Sequence, residues 1–424
     1  MNDIDLTAEF LPGGAFHNGG QGWIPIGTSS ANSFAGTFDG HGNAIIGIFI
    51  NRISDYQALF GYTGSCTIRS IAVEDVDVTG ANIAGSLVGL NRGDVLDARS
   101  TGTVSGGYRV GGLVGENNPG TVSASSSSAT IQANDGRIGG LVGFNVGGTV
   151  VNCFATGQVT GGWYVGGLIG RNLNGTVTQS FATGNVISTS VAGGLVGDTE
   201  GGTISNCYAT GSAQAVNWFG GGLIGYLWTT AVSNSFSTGF VSGGEDIGGL
   251  VGYRFGGSVS GSYWNTETSG QSVSAGGMGR TTEEMTYPYA ANTYTGWAFG
   301  TIWEEDTTGG VNSGYPYLYW QIPEPASAPE PSGPAVLIAG YPNPFTERAT
   351  IAFRTHRDGP VTLSVYDVAG GLVKTLLSDR RPAGAHHVHW DGSCDRGRRV
   401  AGGVYLYRLR CEGGTAGGKI ALRR

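Results

Sequence analysis

The run Gly111-Gly112-Leu113-Val114-Gly115 decides how this chain folds. Its leading Gly-Gly recurs at Gly139, Gly166, Gly193, Gly221 and Gly248, in steps of 28, 27, 27, 28 and 27 residues. Weaker copies precede it at Gly85-Ser86-Leu87-Val88-Gly89 and Ala58-Leu59-Phe60-Gly61. Self-similarity at such a period marks a solenoid. Between runs lie short segments such as Thr149–Thr156, rich in Val, Thr and aromatics and bounded by Gly, which read as strands. No stretch of the repeat holds a helical period.

Alignment of the eight units puts like on like. Leu59, Leu87, Leu113, Leu141, Leu168, Leu195, Leu223 and Leu250 form one ladder. Val95, Val122, Val150, Val177, Ile204, Val232 and Val259 form a second, and Phe154, Phe181, Tyr208, Phe236 and Tyr263 a third. Coils stacked about 4.8 Å apart produce such ladders. One coil alone buries too few side chains to offset the entropy of ordering it, so the array must stack and its end coils need caps. The expected fold is therefore all-β, a right-handed parallel β-solenoid over residues 58–264. Residues 1–57 supply its N-terminal lead-in and first coils, and residues 265–321 cap its far end.

Leu113 and Val114 are adjacent, whereas strand side chains alternate between faces. Either the backbone bends there, or Val114, Val142, Ile169, Val196, Ile224 and Val251 form an outward apolar stripe, an association surface for a second copy.

The remaining composition narrows the function. The chain has 79 Gly in 424 residues but no G-X-Y register, and it is 39% apolar, which excludes collagen and plain disorder. Net charge is −8. From residue 336 onward there are 14 Lys+Arg and 7 Asp+Glu, so the preceding part carries 9 basic and 24 acidic residues, a net of −15. Such a body repels nucleic acid and anionic membranes. No apolar run approaches the roughly 20 residues of a membrane span, and the residues after Met1 have no export-signal pattern. Residues 322–335, opening Ile-Pro-Glu-Pro, have the composition of an extended linker. Beyond it, strand-like runs alternate with turns as in a small β-sandwich over 336–424.

No site chemistry stands out. The position after each Gly-Gly-Leu-Val-Gly run holds Leu90, Glu116, Phe144, Arg171, Asp198, Tyr226 and Tyr253, without the clustered acids of a sugar-cleaving solenoid. Arg171 and Asp198 on adjacent coils read as an exposed ion pair worth under about 1 kcal/mol. His386, His387 and His389 lack a third metal ligand of predictable position, and no H-E-x-x-H occurs. Cys153 and Cys207 fall two coils apart, too far to bridge, whereas Cys394 and Cys411 could pair within the sandwich if the chain is exported. No catalytic residue, metal or cofactor is assigned. Tyr108, Trp163 and Trp218 recur three residues before alternate Gly-Gly pairs, about 10 Å apart along the stack. They are candidates for stacking on the sugars of a surface polysaccharide, the alternative being that they plug corners of the core.

Two resemblances rest on these motifs. The GGLVG or GGLIG runs, the following G-T-V-x-N-C-F/Y-A-T-G and the near-27-residue period resemble the GLUG repeat family. Gly22–Gly27, Phe38–Gly42, Ser262-Tyr263-Trp264 and Gly314–Leu318 extend the likeness to both sides. In that family the segment before Asn2 continues upstream, so Met1 reads as an internal or trimmed start. Tyr341–Phe345, Val365–Gly370, Trp390-Asp391-Gly392, Gly403–Arg408 and Lys419–Arg423 resemble the flagellar-hook-assembly immunoglobulin-like domain and the sorting domain of type IX secretion substrates. The resemblance implies export to the outer surface of a bacterium or beyond, with residues 336–424 engaging the secretion machinery. The expected role is a scaffold or adhesin for a surface polysaccharide or a host or matrix ligand. A self-assembling fibre subunit is the first alternative and a polysaccharide-active enzyme the second.

Overall fold

A computed structural model describes residues 2–321, 335–341, 345–355, 359–368, 370–381, 384–411 and 414–423. Contacts divide the chain into two compact units, residues 1–321 and 322–424. The proline-rich stretch 322–334 and Pro342-Asn343-Pro344 lie outside the described residues.

The first unit is a parallel β-solenoid. One coil runs through strands Arg109–Gly111, Val114–Asn117, Thr121–Ser123, Ser126–Ser127 and Thr130–Ala133 before Arg137–Gly139 opens the next. The opening strands stack into a seven-stranded sheet, the second strands into an eight-stranded one, and the remaining segments into a third, larger sheet. Pairing is residue on homologous residue: Val88, Val114, Val142, Ile169, Val196, Ile224 and Val251 succeed one another in register.

The backbone bends between the two apolar positions of each run. The Leu141 carbonyl accepts hydrogen bonds from both Leu113 N–H and Val114 N–H, each at 3.0 Å, and Leu168 and Leu195 do the same for the coils before them. Two successive amides can share one acceptor only where the strand turns. Both side chains therefore face the interior: the Leu113 and Val114 ladders are at most 3% exposed. Val114, Val142, Ile169, Val196, Ile224 and Val251 are core residues, and the expectation of an outward association stripe is corrected. In the later coils glycine is required at the bend, because a Cβ on Gly140 would run into the Gly167 carbonyl and the Ala155 side chain, whereas the first two coils carry Ala58 and Ser86 there.

Two further rows fix the register. Asn91, Asn117, Asn145 and Asn172 form a buried amide ladder, each Nδ2 donating to the next Oδ1 at 2.8 Å. Asn172 passes to Thr199 at 3.4 Å, and Thr199 pairs with Thr230 at 2.8 Å. Each Asn Nδ2 also donates to a main-chain carbonyl two or three residues on, such as Gly93 at 2.9 Å for Asn91 and Gly148 at 3.1 Å for Asn145. At the next corner Asp97, Ala124, Asn152, Gln179, Asn206 and Asn234 all hold φ between 47° and 53°. Asn is the commonest of them because its short polar side chain tolerates this left-handed conformation best after Gly.

The aromatic ladder does not join the interior. Phe154, Phe181, Tyr208 and Phe236 stack face to face at 5.0, 4.9 and 5.0 Å on the outside of the coils. Residues 285–320 cover them, forming a second core with Trp297, Trp303 and Leu318. The Trp303 indole donates to Asn206 Oδ1 at 3.3 Å and the Trp320 indole to the Gln179 carbonyl at 2.9 Å. The segment expected to cap only the end thus runs back along several coils.

One edge of the eight-stranded sheet, and the start of the other, are occupied from within the chain. Gly61 N–H donates to the Ile26 carbonyl at 2.9 Å at one edge. At the other, Ser274 Oγ accepts from Leu250 N–H at 3.1 Å and Val251 N–H at 2.9 Å, replacing the leucine carbonyl that a further coil would supply.

The second unit has a three-stranded antiparallel sheet (Ala335–Tyr341, Ala349–Thr355, Gly384–Trp390) and a four-stranded one (Gly359–Tyr366, Leu372–Arg381, Gly403–Cys411, Gly414–Leu422). Ile351, Phe353 and Trp390 from the first share a core with Leu363, Val365, Tyr407 and Leu409 from the second, which makes a small sandwich.

The amide ladder yields a stability prediction. Asn145→Ala removes one ladder acceptor and one donor and leaves the Asn117 amide and the Asn172 carbonyl oxygen buried without their ladder bonds. It should cost about 2–4 kcal/mol in denaturant unfolding. A loss below about 0.5 kcal/mol would show that the ladder does not hold the stack.

Candidate functional site

The glycine bend brings the outer sides of two sheets together. A Cβ on Gly143 would meet the Val110 amide nitrogen at 2.7 Å, so the eight-stranded sheet lies backbone to backbone against the opening strand of the coil before it. Side chains flanking these glycines meet across a shallow groove along the solenoid. One wall carries Arg109, Arg137, Tyr164, Val191, Phe219 and Asp246, the other Glu116, Phe144, Arg171, Asp198, Tyr226 and Tyr253.

The N-terminal part of the groove is ionic. Arg109 pairs with Glu116. Arg137 lies 4.6 Å from the centroids of both Tyr108 and Phe144. Arg171 then holds two acids, Asp198 at 2.7 Å and Glu200 at 2.6 Å. The expectation of an exposed Arg171–Asp198 pair without clustered acids is corrected. Instead the Asp198 side chain is 1% exposed, and Glu200, two residues along the same strand, joins it on one guanidinium. Burial pushes the Asp198 carboxyl up to about 6 despite the pull of Arg171.

The C-terminal part is aromatic. Phe219 stacks on Tyr253 at 4.7 Å and packs on Tyr226 at 5.1 Å and Trp218 at 5.9 Å. Trp228 lies 5.0 Å from Tyr226 and 5.4 Å from Phe255. These six rings form one connected surface, with Trp218 48% and Phe255 68% exposed. Tyr226 and Tyr253 enter the sequence analysis only as seats for catalytic groups, and Phe219, Trp228 and Phe255 not at all. The signal was present: Glu200, Trp228 and Phe255 share a column two residues beyond the Asp198, Tyr226 and Tyr253 column.

Tyr108, Trp163 and Trp218 do not plug the core; they stand outside at 37%, 53% and 48% exposure. Their backbones lie in one column, since Val191 N–H donates to the Trp163 carbonyl and Trp218 N–H to the Ser190 carbonyl. They are not equivalent. The Tyr108 ring is engaged by Arg109 and Arg137, whereas the Trp163 and Trp218 rings pack on their neighbours Tyr164 and Phe219.

Other candidates sit apart from the groove. His389 Nδ1 lies 2.9 Å from the Thr350 hydroxyl in the sandwich, and burial lowers the pKa of His387 and His389. Among the described residues no three His, Cys, Asp or Glu are grouped to hold a metal ion. Cys153 and Cys207 take the place of bend serines such as Ser180 and Ser235, each thiol facing a carbonyl at 3.2 and 3.1 Å; burial pushes both up to about 12. Cys394 is a free thiol.

This is a parallel β-solenoid of GLUG repeats followed by a small immunoglobulin-like sandwich. Residues 134–160, 161–187 and 188–214 match the GLUG motif, and residues 344–414 match the FlgD Ig-like domain. One stretch of 114 residues is 39% identical to Halomucin of Haloquadratum walsbyi, covering 26% of this chain and 1% of that protein. Another match is 34% identical to a Gly-rich membrane protein of Evansella cellulosilytica, covering 28% of this chain and 17% of that protein. The chain therefore spans a small part of the curated relatives it matches. Among solved structures, an IgA1 protease is similar at 19% identity with a TM-score of 0.37, over 55% of this chain and 18% of that one. No helix among the described residues is long and apolar enough to cross a membrane.

Asp198 gives the groove a pH signature. A carboxyl raised to about 6 when folded, against about 4 unfolded, stabilises the fold fully below pH 4 and loses that contribution as pH rises through 6. Relative to Asp198→Asn, the wild-type unfolding midpoint should fall between pH 4 and 7, by the equivalent of roughly 3 kcal/mol. Parallel melting profiles for the two proteins over that range would rule it out.

Proposed function

We propose that this chain is a non-enzymatic scaffold or adhesin, secreted or displayed on the outer surface of a bacterium, whose residues 336–424 direct export and attachment. The observation that carries this reading is where sequence variation sits. The interior of the solenoid repeats Leu, Val and Asn coil after coil, whereas the groove columns change from charge to aromatic along the stack. Such a molecule works by presenting a surface. The nearest thing to a catalytic carboxylate, Asp198, is closed off by burial and held by Arg171. Similarity to Halomucin and to a Gly-rich membrane protein supports a location at or outside the cell surface. The match to the FlgD Ig-like domain supports a separate role for the basic tail. The paired edge of the eight-stranded sheet, with the start of the other covered, favours a self-contained scaffold over a fibre built by end-on stacking, since a paired edge offers no template to a second copy.

Surface labelling of cells producing the full chain, compared with a chain lacking residues 336–424, tests the assignment. The full chain should be labelled or recovered in the medium, and the truncated chain should fall at least about tenfold. Equal labelling of the two would remove the sorting role, and labelling of neither, with the protein retained inside, would remove the surface role.

A further inference from the structure

We propose that the aromatic end of the groove binds an extended, neutral β-linked glycan along the solenoid axis, with Trp218, Phe219, Tyr226, Trp228, Tyr253 and Phe255 as the platform. This deepens the scaffold or adhesin reading and rests on it for its biological setting, but not for its chemistry. Three observations point to a glycan. The rings touch one another in a continuous chain at 4.7–5.9 Å and offer half-exposed faces and edges. Sugar rings stack on such faces because their C–H groups meet the negative face of the π-system.

The second observation is period. Trp163 and Trp218 occupy one column two coils apart, about 10 Å. In an extended β-linked glycan alternate sugars present the same face, and its disaccharide repeat is of that same length. A chain lying along the groove would therefore meet Trp163 and Trp218 with equivalent sugars. Tyr108 falls outside the platform because Arg109 and Arg137 lie against its ring.

The third is charge. Glu200, Glu245 and Asp246 lie on the aromatic end on a body of net charge −15, and Glu200 is itself tied to Arg171. Against these acids stands the exposed Arg254 between Tyr253 and Phe255, so the rim stays net acidic and repels anionic polymers, whereas a neutral sugar meets hydrogen-bonding groups and the tyrosine hydroxyls at no such cost. A protein partner would instead be expected to saturate the rings irrespective of sugar.

Titration calorimetry of the full chain with cellohexaose and N-acetylchitohexaose, followed in parallel by tryptophan fluorescence, tests the proposal. At least one hexamer should bind, and Trp218→Ala or Phe255→Ala should weaken it tenfold or more. Trp163→Ala should weaken the hexamer more than the corresponding trimer. Phe240→Ala, an exposed ring elsewhere at 54% exposure, should leave binding unchanged. Circular dichroism and melting midpoints matching wild type would establish that the variants fold. Binding of neither hexamer, or equal binding by all variants, overturns the proposal. So does concentration-dependent self-association that Trp218→Ala abolishes without any glycan binding, since the patch would then be a protein interface. Cell-surface labelling is independent of these outcomes: a labelled chain that binds no hexamer leaves the scaffold reading standing, and an unlabelled chain that binds one leaves only the site.

Discussion

The approach of backbone to backbone at each Gly-Gly bend is the constraint on which the rest of the solenoid depends. Because Gly111, Gly115 and their counterparts have no side chain, the eight-stranded sheet presses against the opening strand of the coil before it. Two consequences follow. The leucine carbonyl at the bend can take two amides, which turns two consecutive apolar residues into the core and closes it. On the outside, residues flanking the glycines are drawn together, so that Arg109 reaches Glu116 and Phe219 reaches Tyr226 and Tyr253. A Cβ on Gly115 or Gly143 would push the walls apart and lose both.

A glycine-rich coil has little side-chain mass with which to specify its register. Apolar ladders of Leu and Val tolerate small slips, because dispersion contacts are individually weak and non-directional. The buried Asn row does not: a slip would leave amides of Asn117, Asn145 and Asn172 unpaired in a dry interior, at a cost that exceeds their net gain when paired. The row ends at Thr199, whose hydroxyl pairs sideways with Thr230, and Leu227 takes its place in the next coil. The Asn residues of left-handed conformation at the next corner serve the backbone rather than a neighbour. Asparagine thus plays two distinct parts in one repeat.

The outer face follows a different logic. The same columns hold ionic groups on the early coils and aromatic rings on the late ones, with Arg171, Asp198 and Glu200 at the transition. Each ring or charge is placed by a backbone that does not vary, so the surface can change without disturbing the interior. The aromatic ladder from Phe154 to Tyr263 shows the limit of that freedom. Too large and too apolar for solvent, it is covered by a return segment from the same chain, whose Trp297, Trp303 and Trp320 anchor to backbone and side-chain acceptors of the coils.

The sequence by itself determined the coil period, the parallel stacking, the Leu and Val ladders and the existence of a separate β-rich tail, because all of these depend on repetition at a fixed spacing. It posed the Leu-Val adjacency without resolving it, since alternation specifies parity along a straight strand but not where the strand bends. Only the tertiary structure put Val114 and its counterparts inside, sent Phe181 and Tyr208 out under the return segment, and buried Asp198 against Arg171. It also gathered Trp218, Phe219, Tyr226, Trp228, Tyr253 and Phe255 into one surface. These residues fall in four columns over two adjacent coils, and what joins the columns is the closeness of two sheets at the glycine bend, a distance set by missing side chains and not by any pattern in those present.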